Sequence, residues 1–389
     1  MKHKTMTLNI GPQHPATHGV LRVKVELDGE TIINANPIIG YLHTGIEKNM
    51  EFEKYTQAIT MTDRMDYLAP MSNNLVYVMA IEKLMEIEVP LKAQFIRVIM
   101  TELTRINSHL VWLGTHATDI GAMTMFMYCF REREKILQIY EFLSGVRMMS
   151  SYFRIGGLAQ DIPEGFDNRI KDILDTFPSR INEYEGLLTE NKIWKNRTIG
   201  VGKISSDEAI KSGLSGPLLR GSGINWDIRK SNPYSSYDKF EFDVPLGKNG
   251  DTYDRYNCRV EEMRQSLRII RQAIDGIPTG PYKSADYKIS PPPKEEVLKN
   301  MEQLIHHFKY WTEGIQPPEG DVYFSIESPK GEIGCYIVSD GSNKPYRVHF
   351  RPPSFVNVSA LSKLAKGMMI SDLIAIIGSI DIVLGEIDR

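Results

Sequence analysis

Residues 91–113 hold the clearest periodicity in the chain. Phe95, Ile99, Leu103, Ile106, Leu110 and Leu113 recur at three- and four-residue steps, which is the stripe of an amphipathic helix. Arg97, Glu102 and Arg105 fall outside the stripe and are expected to face elsewhere. Residues 124–149 repeat the pattern with Phe126, Phe130, Ile136, Ile139, Tyr140 and Leu143. Inside it, Arg131-Glu132-Arg133-Glu134-Lys135 reads as a salt-laced helix face rather than a ligand site. Asp119 is expected between these two helices, where such a residue most often caps. Further helices are expected over 46–60, from Thr62 through about Met85, and over 164–190, 254–275, 295–312 and 361–377. Pro90 stops one helix and starts the next.

The strand signals lie toward the two ends. Leu8 and Ile10, then Leu21, Val23, Val25 and Leu27, alternate up to Asp28-Gly29, and Asp-Gly between alternating apolar runs is a hairpin signal. Residues 321–351 read as strand-turn-strand, with turns at Pro329-Lys330-Gly331 and Asp340-Gly341. Long helices with small flanking antiparallel sheets make an α+β fold with a mainly helical core bundle. The organisation expected is an N-terminal β-hairpin region (1–45), a helical core (46–280), a linker with a short helix (281–320) and a C-terminal β/α segment (321–389), integrated as one domain.

The turn at 11–19, Gly-Pro-Gln-His-Pro-Ala-Thr-His-Gly, is too rich in proline and glycine for helix or central strand. It presents His14 and His18 on a shaped loop, and a histidine there can titrate near neutral pH and donate a proton. Taken alone it reads as an ordinary loop with surface histidines. Gly221-Ser222-Gly223 is a weak nucleotide-loop signal, since no βαβ unit surrounds it.

Composition narrows the function classes. A net charge of −3 over 389 residues gives no general pull toward nucleic acid. The three cysteines, Cys129, Cys258 and Cys335, are far apart and form no CxxC pair, so a disulfide framework and a zinc ribbon are not expected and a reducing compartment fits. The first ten residues lack the apolar core of a secretory signal. The most apolar tract, 368–387, is interrupted by Asp372, Asp381 and Glu386 and reads as buried helix and turn rather than a membrane span.

Together, GPQHPATHGVLR, GYLHTGIEK, TDRMDYL, RVIMTELTRINSHL, FRERE, FRIGG, LLRGSGINWDIRK, PYRVHFRPPSF and GSIDIVLGEIDR resemble the 49-kDa component of respiratory complex I, over nearly the whole chain. That family's fold resembles the large subunit of nickel–iron hydrogenases. The resemblance implies a quinone-pocket subunit of a proton-translocating NADH:quinone oxidoreductase, active only within the complex. Its implied partners are the small subunit that carries the terminal 4Fe–4S cluster, other peripheral-arm subunits including the 30-kDa (C-type) one, and the membrane-arm subunit beside the quinone channel. The implied location is peripheral, on the cytoplasmic face of the bacterial inner membrane.

A nickel–iron site needs two CxxC pairs, because soft thiolates hold those metals. In the resemblance, Thr44-Gly45-Ile46-Glu47 and Val383-Leu384-Gly385-Glu386 stand where the pairs would be. No bound metal is expected, and the vacated cavity is expected to take the quinone. Carried over residue by residue, His18 and Tyr67 are the headgroup ligands, Asp119 partners His18, His43 and Thr44 line the pocket, and Arg64 lies near the partner's cluster. Quinone reduction takes two electrons and two protons, and an imidazolium and a phenol can each hydrogen-bond one carbonyl and then protonate it. Without the family, Tyr67 reads as a boundary tyrosine at a helix start and Arg64 as a surface ion-pair partner.

Two positions depart from the family pattern. Met149 follows Arg147-Met148 where many relatives have histidine, which implies a pH-independent, lower cluster potential and favours menaquinone over ubiquinone. Ile382 replaces proline. The alternatives are a related oxidoreductase that takes electrons from ferredoxin or another donor, a hydrogenase-type metal enzyme, which the missing cysteines disfavour, and a scaffold subunit without chemistry.

Overall fold

The computed structural model of the chain describes residues 5–14 and 19–389. The N-terminal sheet runs β1 (Met6–Ile10), β2 (Arg22–Asp28) and β3 (Thr31–Ile38), antiparallel and in that order. Asp28 pairs with Thr31, so Gly29 and Glu30 close the expected hairpin. β1 pairs with β2 as well. The histidine-bearing connection therefore joins two paired strands. Val23, Val25 and Leu27 are buried, at the alternate positions a one-sided sheet requires.

The helices follow as α1 (Ile46–Met50), α2 (Tyr55–Thr62), α3 (Pro70–Leu84), α4 (Leu91–Asp119) and α5 (Thr124–Ser144). The helix expected over 46–60 is thus split in two, and the one expected from Thr62 begins only at Pro70, which occupies the first turn, where its missing N–H costs nothing. Asp119 is the last residue of α4 rather than a residue between helices. A small hairpin, β4 (Phe153–Arg154) with β5 (Gly157–Leu158), precedes α6 (Phe166–Leu188), α7 (Lys192–Thr198), α8 (Ser206–Lys211), α9 (Gly216–Gly221), α10 (Ile228–Ser231) and α11 (Thr252–Asp275). The expected 295–312 helix is two: α12 (Lys294–Lys299) and α13 (Met301–Thr312), where the Asn300 side chain caps the second. A three-stranded meander, β6 (Gly320–Ser328), β7 (Gly331–Ser339) and β8 (Arg347–Arg351), leads into α14 (Pro353–Ser359), α15 (Leu361–Ala365), α16 (Ile370–Ile380) and α17 (Leu384–Ile387). Helix with small antiparallel sheets is the α+β architecture expected.

α4 is the axis of the core, in contact with α3, α5, α11 and α16. It is buried all round, so the side that carries Arg97, Glu102 and Arg105, off the apolar stripe, also lies in the interior. A helix packed on every side has no wet face, so its charged groups must find partners inside. Arg97 holds both oxygens of Glu82 at 2.7 and 2.9 Å. Arg105 donates to the carbonyls of Glu327 and Ser328 at 2.7 and 3.0 Å. The Arg131–Lys135 run is largely the salt-laced face expected: Arg131 bridges Glu132 and Glu183, and Arg147 pairs with Glu134. Glu132 and Arg133 are nonetheless buried. A second apolar cluster joins the N-terminal sheet to α15, α16 and α17, which brings the two ends of the chain together.

Candidate functional site

Where the chain ends meet α2, a cavity of about 610 Å³ opens. Leu42, Ile46 and Met61 form apolar walls, and Thr44, Asn49, Thr60, Arg64, Tyr67 and Gly385 complete the lining. Thr44 and Ile46 belong to the first of the two segments that the resemblance assigned to the lost thiolate pairs, and Gly385 belongs to the second. They lie on one cavity.

Local sequence explains this arrangement. α2 ends at Thr62 and α3 starts at Pro70, so residues 63–69 form a loop that carries Arg64 and Tyr67. The loop is pinned from within: the Asp66 carboxylate accepts from Leu68 N at 3.1 Å, and the Asp66 carbonyl accepts from Asn73 Nδ2 at 3.2 Å. Gly385 touches the loop backbone, and a Cβ there would stand 2.6 Å from the Met65 carbonyl oxygen. Only glycine permits so close an approach.

The C-terminus fastens the opposite wall. The Asp388 carboxylate accepts from Gly40 N at 2.8 Å and Leu42 N at 2.7 Å. His43 Nδ1 lies 2.6 Å from the Asp388 carbonyl oxygen. Glu47 accepts from Phe350 N and from Arg389 Nε, both at 2.8 Å. His43 accordingly lines a neighbouring cleft with Glu47, Asp388 and Arg389 rather than the cavity of Tyr67.

The structure brings Tyr67, Thr44 and Arg64 together. His18 lies outside the described residues, and with it any pairing to Asp119, which is half-buried at the end of α4. Gly19, where the described chain resumes, sits against the cavity's C-terminal segment: a Cβ on it would be 3.2 Å from Leu384 Cδ1. Arg64 is exposed at the rim and donates to the Thr60 carbonyl at 2.6 Å.

Burial, and then the neighbouring Asp66 carboxylate, push the Tyr67 phenol above its usual pKa, with Lys330 acting the other way. The phenol therefore keeps its proton until a strong base appears beside it. Beneath it, Lys330 Nζ is buried and donates to Asp66 at 2.9 Å and to Ser108 at 3.0 Å. Burial opposes the lysine's charge, but Asp381, Asp66 and Glu386 together hold its pKa above the ordinary lysine value. On the same loop, Asp63 is buried with the Ser151 hydroxyl on one oxygen, and burial raises its pKa to about 6.

Sequence reasoning missed Lys330, Asp63 and Asp388. Pro329-Lys330-Gly331 does form the β6–β7 turn, but this turn points inward. Nothing in its residues distinguishes it from a solvated one. Among the described residues, no group of three or more His, Cys, Asp or Glu is arranged to hold a metal ion, and no described helix is long and apolar enough to cross a membrane.

A phenol on the wall of a largely apolar slot, with a guanidinium at its mouth, suits a flat, hydrophobic molecule that carries a hydrogen-bond acceptor. Residues 119–389 match the family model described as the 49-kDa subunit of respiratory-chain NADH dehydrogenase. The D-type subunit of NADH-quinone oxidoreductase from Geotalea uraniireducens is 62% identical over 384 residues, covering 99% of this chain and 98% of that one. The protein of the same name from Citrifermentans bemidjiense is 60% identical over 389 residues and the full length of both. The second such subunit of Chloroflexus aurantiacus is 58% identical over 389 residues, covering 99% of this chain and 95% of that one.

Proposed function

Because the chain belongs to the family of the 49-kDa subunit of respiratory-chain NADH dehydrogenase, we propose that its cavity binds the quinone headgroup of an NADH:quinone oxidoreductase and supplies protons to it. As a complex I subunit the chain works in a hetero-oligomer. Tyr67 donates a hydrogen bond to one carbonyl and His18 to the other, with Asp119 holding His18 charged and in one tautomer. Two electrons reach the quinone from a 4Fe–4S cluster in a neighbouring small subunit. As each carbonyl oxygen gains charge it becomes the strong base that removes a proton, one from the phenol and one from the imidazolium. The products are quinol, tyrosinate and neutral imidazole.

Arg64, on the rim, places a cation toward the partner's cluster and raises that cluster's potential. Thr44 lines the headgroup slot, and His43 steadies the turn that carries it. With Met149 in place of a titratable histidine, the cluster's potential is pH-independent and low, which suits menaquinone. The complex translocates protons, and this subunit sits on the cytoplasmic face of the bacterial inner membrane, against the membrane-arm subunit beside the quinone channel and the 30-kDa-type subunit.

The observation that carries this reading is the shared cavity. Tyr67, the segment of Thr44 and Ile46 and the segment of Gly385 line one space of about 610 Å³. The test is Tyr67→Phe in the assembled complex. Quinone reduction is expected to fall about a hundredfold, while electron transfer from NADH to an artificial acceptor upstream of the quinone stays at the parent rate. Full quinone reduction in that variant and in His18→Ala would leave the chain a scaffold.

A further inference from the structure

Three carboxylic side chains lie buried behind the Tyr67 cavity, Asp66, Asp381 and Glu386. They face two buried cations, Lys330 and Arg259. Lys330 binds Asp66 at 2.9 Å, and Arg259 approaches Asp381 at 3.9 Å. Among the described residues the count leaves one negative charge with no cation, and Glu386 is the residue left over. Its Oε2 accepts from the Ser354 hydroxyl and, at 3.3 Å, from Ser354 N. Its Oε1 has no hydrogen-bond partner among the described residues, and the residue is 0% exposed. A bare carboxylate oxygen so placed costs far more than a carboxylic acid, so the site holds a proton.

Among the described residues, the groups acting on Glu386 come from three other elements. Asp66 comes from the 63–69 loop, Lys330 from the β6–β7 turn and Ser354 from α14. Asp381, Asp388 and Arg389 come from its own segment, with Asp388 tied to Gly40 and Leu42 and Arg389 to Glu47. Gly385, the residue before it, lines the cavity with Tyr67.

We propose that Glu386 is the proton reserve behind Tyr67, and that it restores the phenol after each quinone reduction. This rests on the proposed role of Tyr67. In the step, the O–H bond of the Glu386 acid breaks and the phenolic O–H bond of Tyr67 forms. No electron moves, and the summed charge of the two residues is unchanged. The new Glu386 carboxylate is received by Lys330, whose charge already acts on both Glu386 and Tyr67. The reserve refills from bulk water before the next turnover. Glu386 is therefore a positioning residue for protons and does not touch the substrate.

Burial, then the nearby Asp66, raise the Glu386 pKa to about 8. The acid form is thus filled below about pH 8 and emptied above it, so turnover should fall as pH rises through that value.

The test uses the intact complex carrying Glu386→Gln, with a short-chain naphthoquinone as acceptor. The amide keeps the shape but cannot release a proton. The turnover number is expected to drop at least about tenfold at pH 7 with KM unchanged, and the falling limb near pH 8 should vanish. Glu386→Asp should recover part of the rate. Infrared difference spectra between oxidised and reduced parent complex should show loss of a carboxylic-acid carbonyl band that Glu386→Gln lacks.

If Glu386→Gln prevents assembly, Ser354→Ala keeps the question open to measurement, because removing that hydroxyl must shift the same band. Parent turnover and an unchanged pH profile in Glu386→Gln, or a band that ignores Ser354→Ala, overturns the proposal. If Tyr67→Phe abolishes quinone reduction while Glu386→Gln is silent, only the reserve is lost. If Tyr67→Phe is itself silent, the reading of the cavity falls first.

Discussion

Two buried ionic clusters among the described residues differ in how they hold protons. The first surrounds the middle of α4. Glu102 accepts from Arg105, Arg229, Tyr237 and Ser266. Asp227 receives three bonds from Arg229, and Glu262 receives Arg220 and His109. The second is the group of Asp66, Asp381, Glu386 and Lys330 behind the cavity. All four of these residues are buried, like those of the first. Burial alone would raise every carboxyl pKa in both places. Around α4, opposing arginines outweigh burial at three carboxyls, so Glu102 and Glu262 titrate below the usual range and Asp227 falls to about 2, while burial and the adjacent Asp227 still raise Glu327, which holds a single guanidinium. Behind the cavity the Glu386 carboxyl rises to about 8. What separates the two is the supply of donors, not burial. A cluster rich in arginine locks its charges and braces the fold, whereas one with a donor too few stores a proton.

The largest effect expected from breaking that contrast is in the first cluster. Arg229→Ala removes the guanidinium bonds to Glu102 and Asp227, sparing only the backbone one to Asp227, and leaves buried carboxylates short of partners. The loss expected is about 3–5 kcal/mol, read as failure of the chain to accumulate in assembled complex. A variant that assembles and melts like the parent would show that the arginines are not what holds α4 in place.

Next in size is Asp63, which shares the cavity loop with Asp66. Its carboxyl is raised to about 6 from the ordinary 3.8, chiefly by burial. A raised acid favours folding when protonated, so its contribution is complete below about pH 4, fades as pH rises to 6, and is a constant cost above that. Asp63→Asn can still accept from Ser151 and carries no charge. It should stabilise the assembled complex at pH 7 by about 2–3 kcal/mol and flatten its thermal stability between pH 4 and 6. An unchanged pH dependence would mean that Asp63 is solvated or paired in the complex.

The legibility of these regions in the sequence follows the same division. The period of Phe95, Ile99, Leu103, Ile106 and Leu110 states an α-helix because apolar spacing is a local signal. The Asp28-Gly29 turn states a hairpin for the same reason. That α4 is enclosed on all sides is not local, since the partners of Arg97, Glu102 and Arg105 lie on α3, α10, α11 and β6. Tyr67, Thr44 and Arg64 are named only through a resemblance, and the fold brings them to one cavity. Lys330 and Glu386 give no local sign of being site neighbours, because a lysine in a Pro-Lys-Gly turn looks solvated. Only the packing of α14 and α17 against that turn and the 63–69 loop encloses them.

The smallest effect is the one that tests burial itself as the precondition of the contrast. Arg347 lies half in solvent and pairs with Glu51 at 3.0 Å across the β8–α1 contact, a geometry as good as most pairs around α4. Lys48 serves the same carboxylate at 2.6 Å. Water can replace the guanidinium at almost no cost, and the remaining lysine still neutralises Glu51. Arg347→Ala should therefore lower stability by less than about 1 kcal/mol, and the small change should shrink further with added salt, as a melting series at low and high ionic strength would show. A larger, salt-insensitive loss would place Arg347 in a dry interface with another subunit, where it would obey the rules of α4 and not those of the surface.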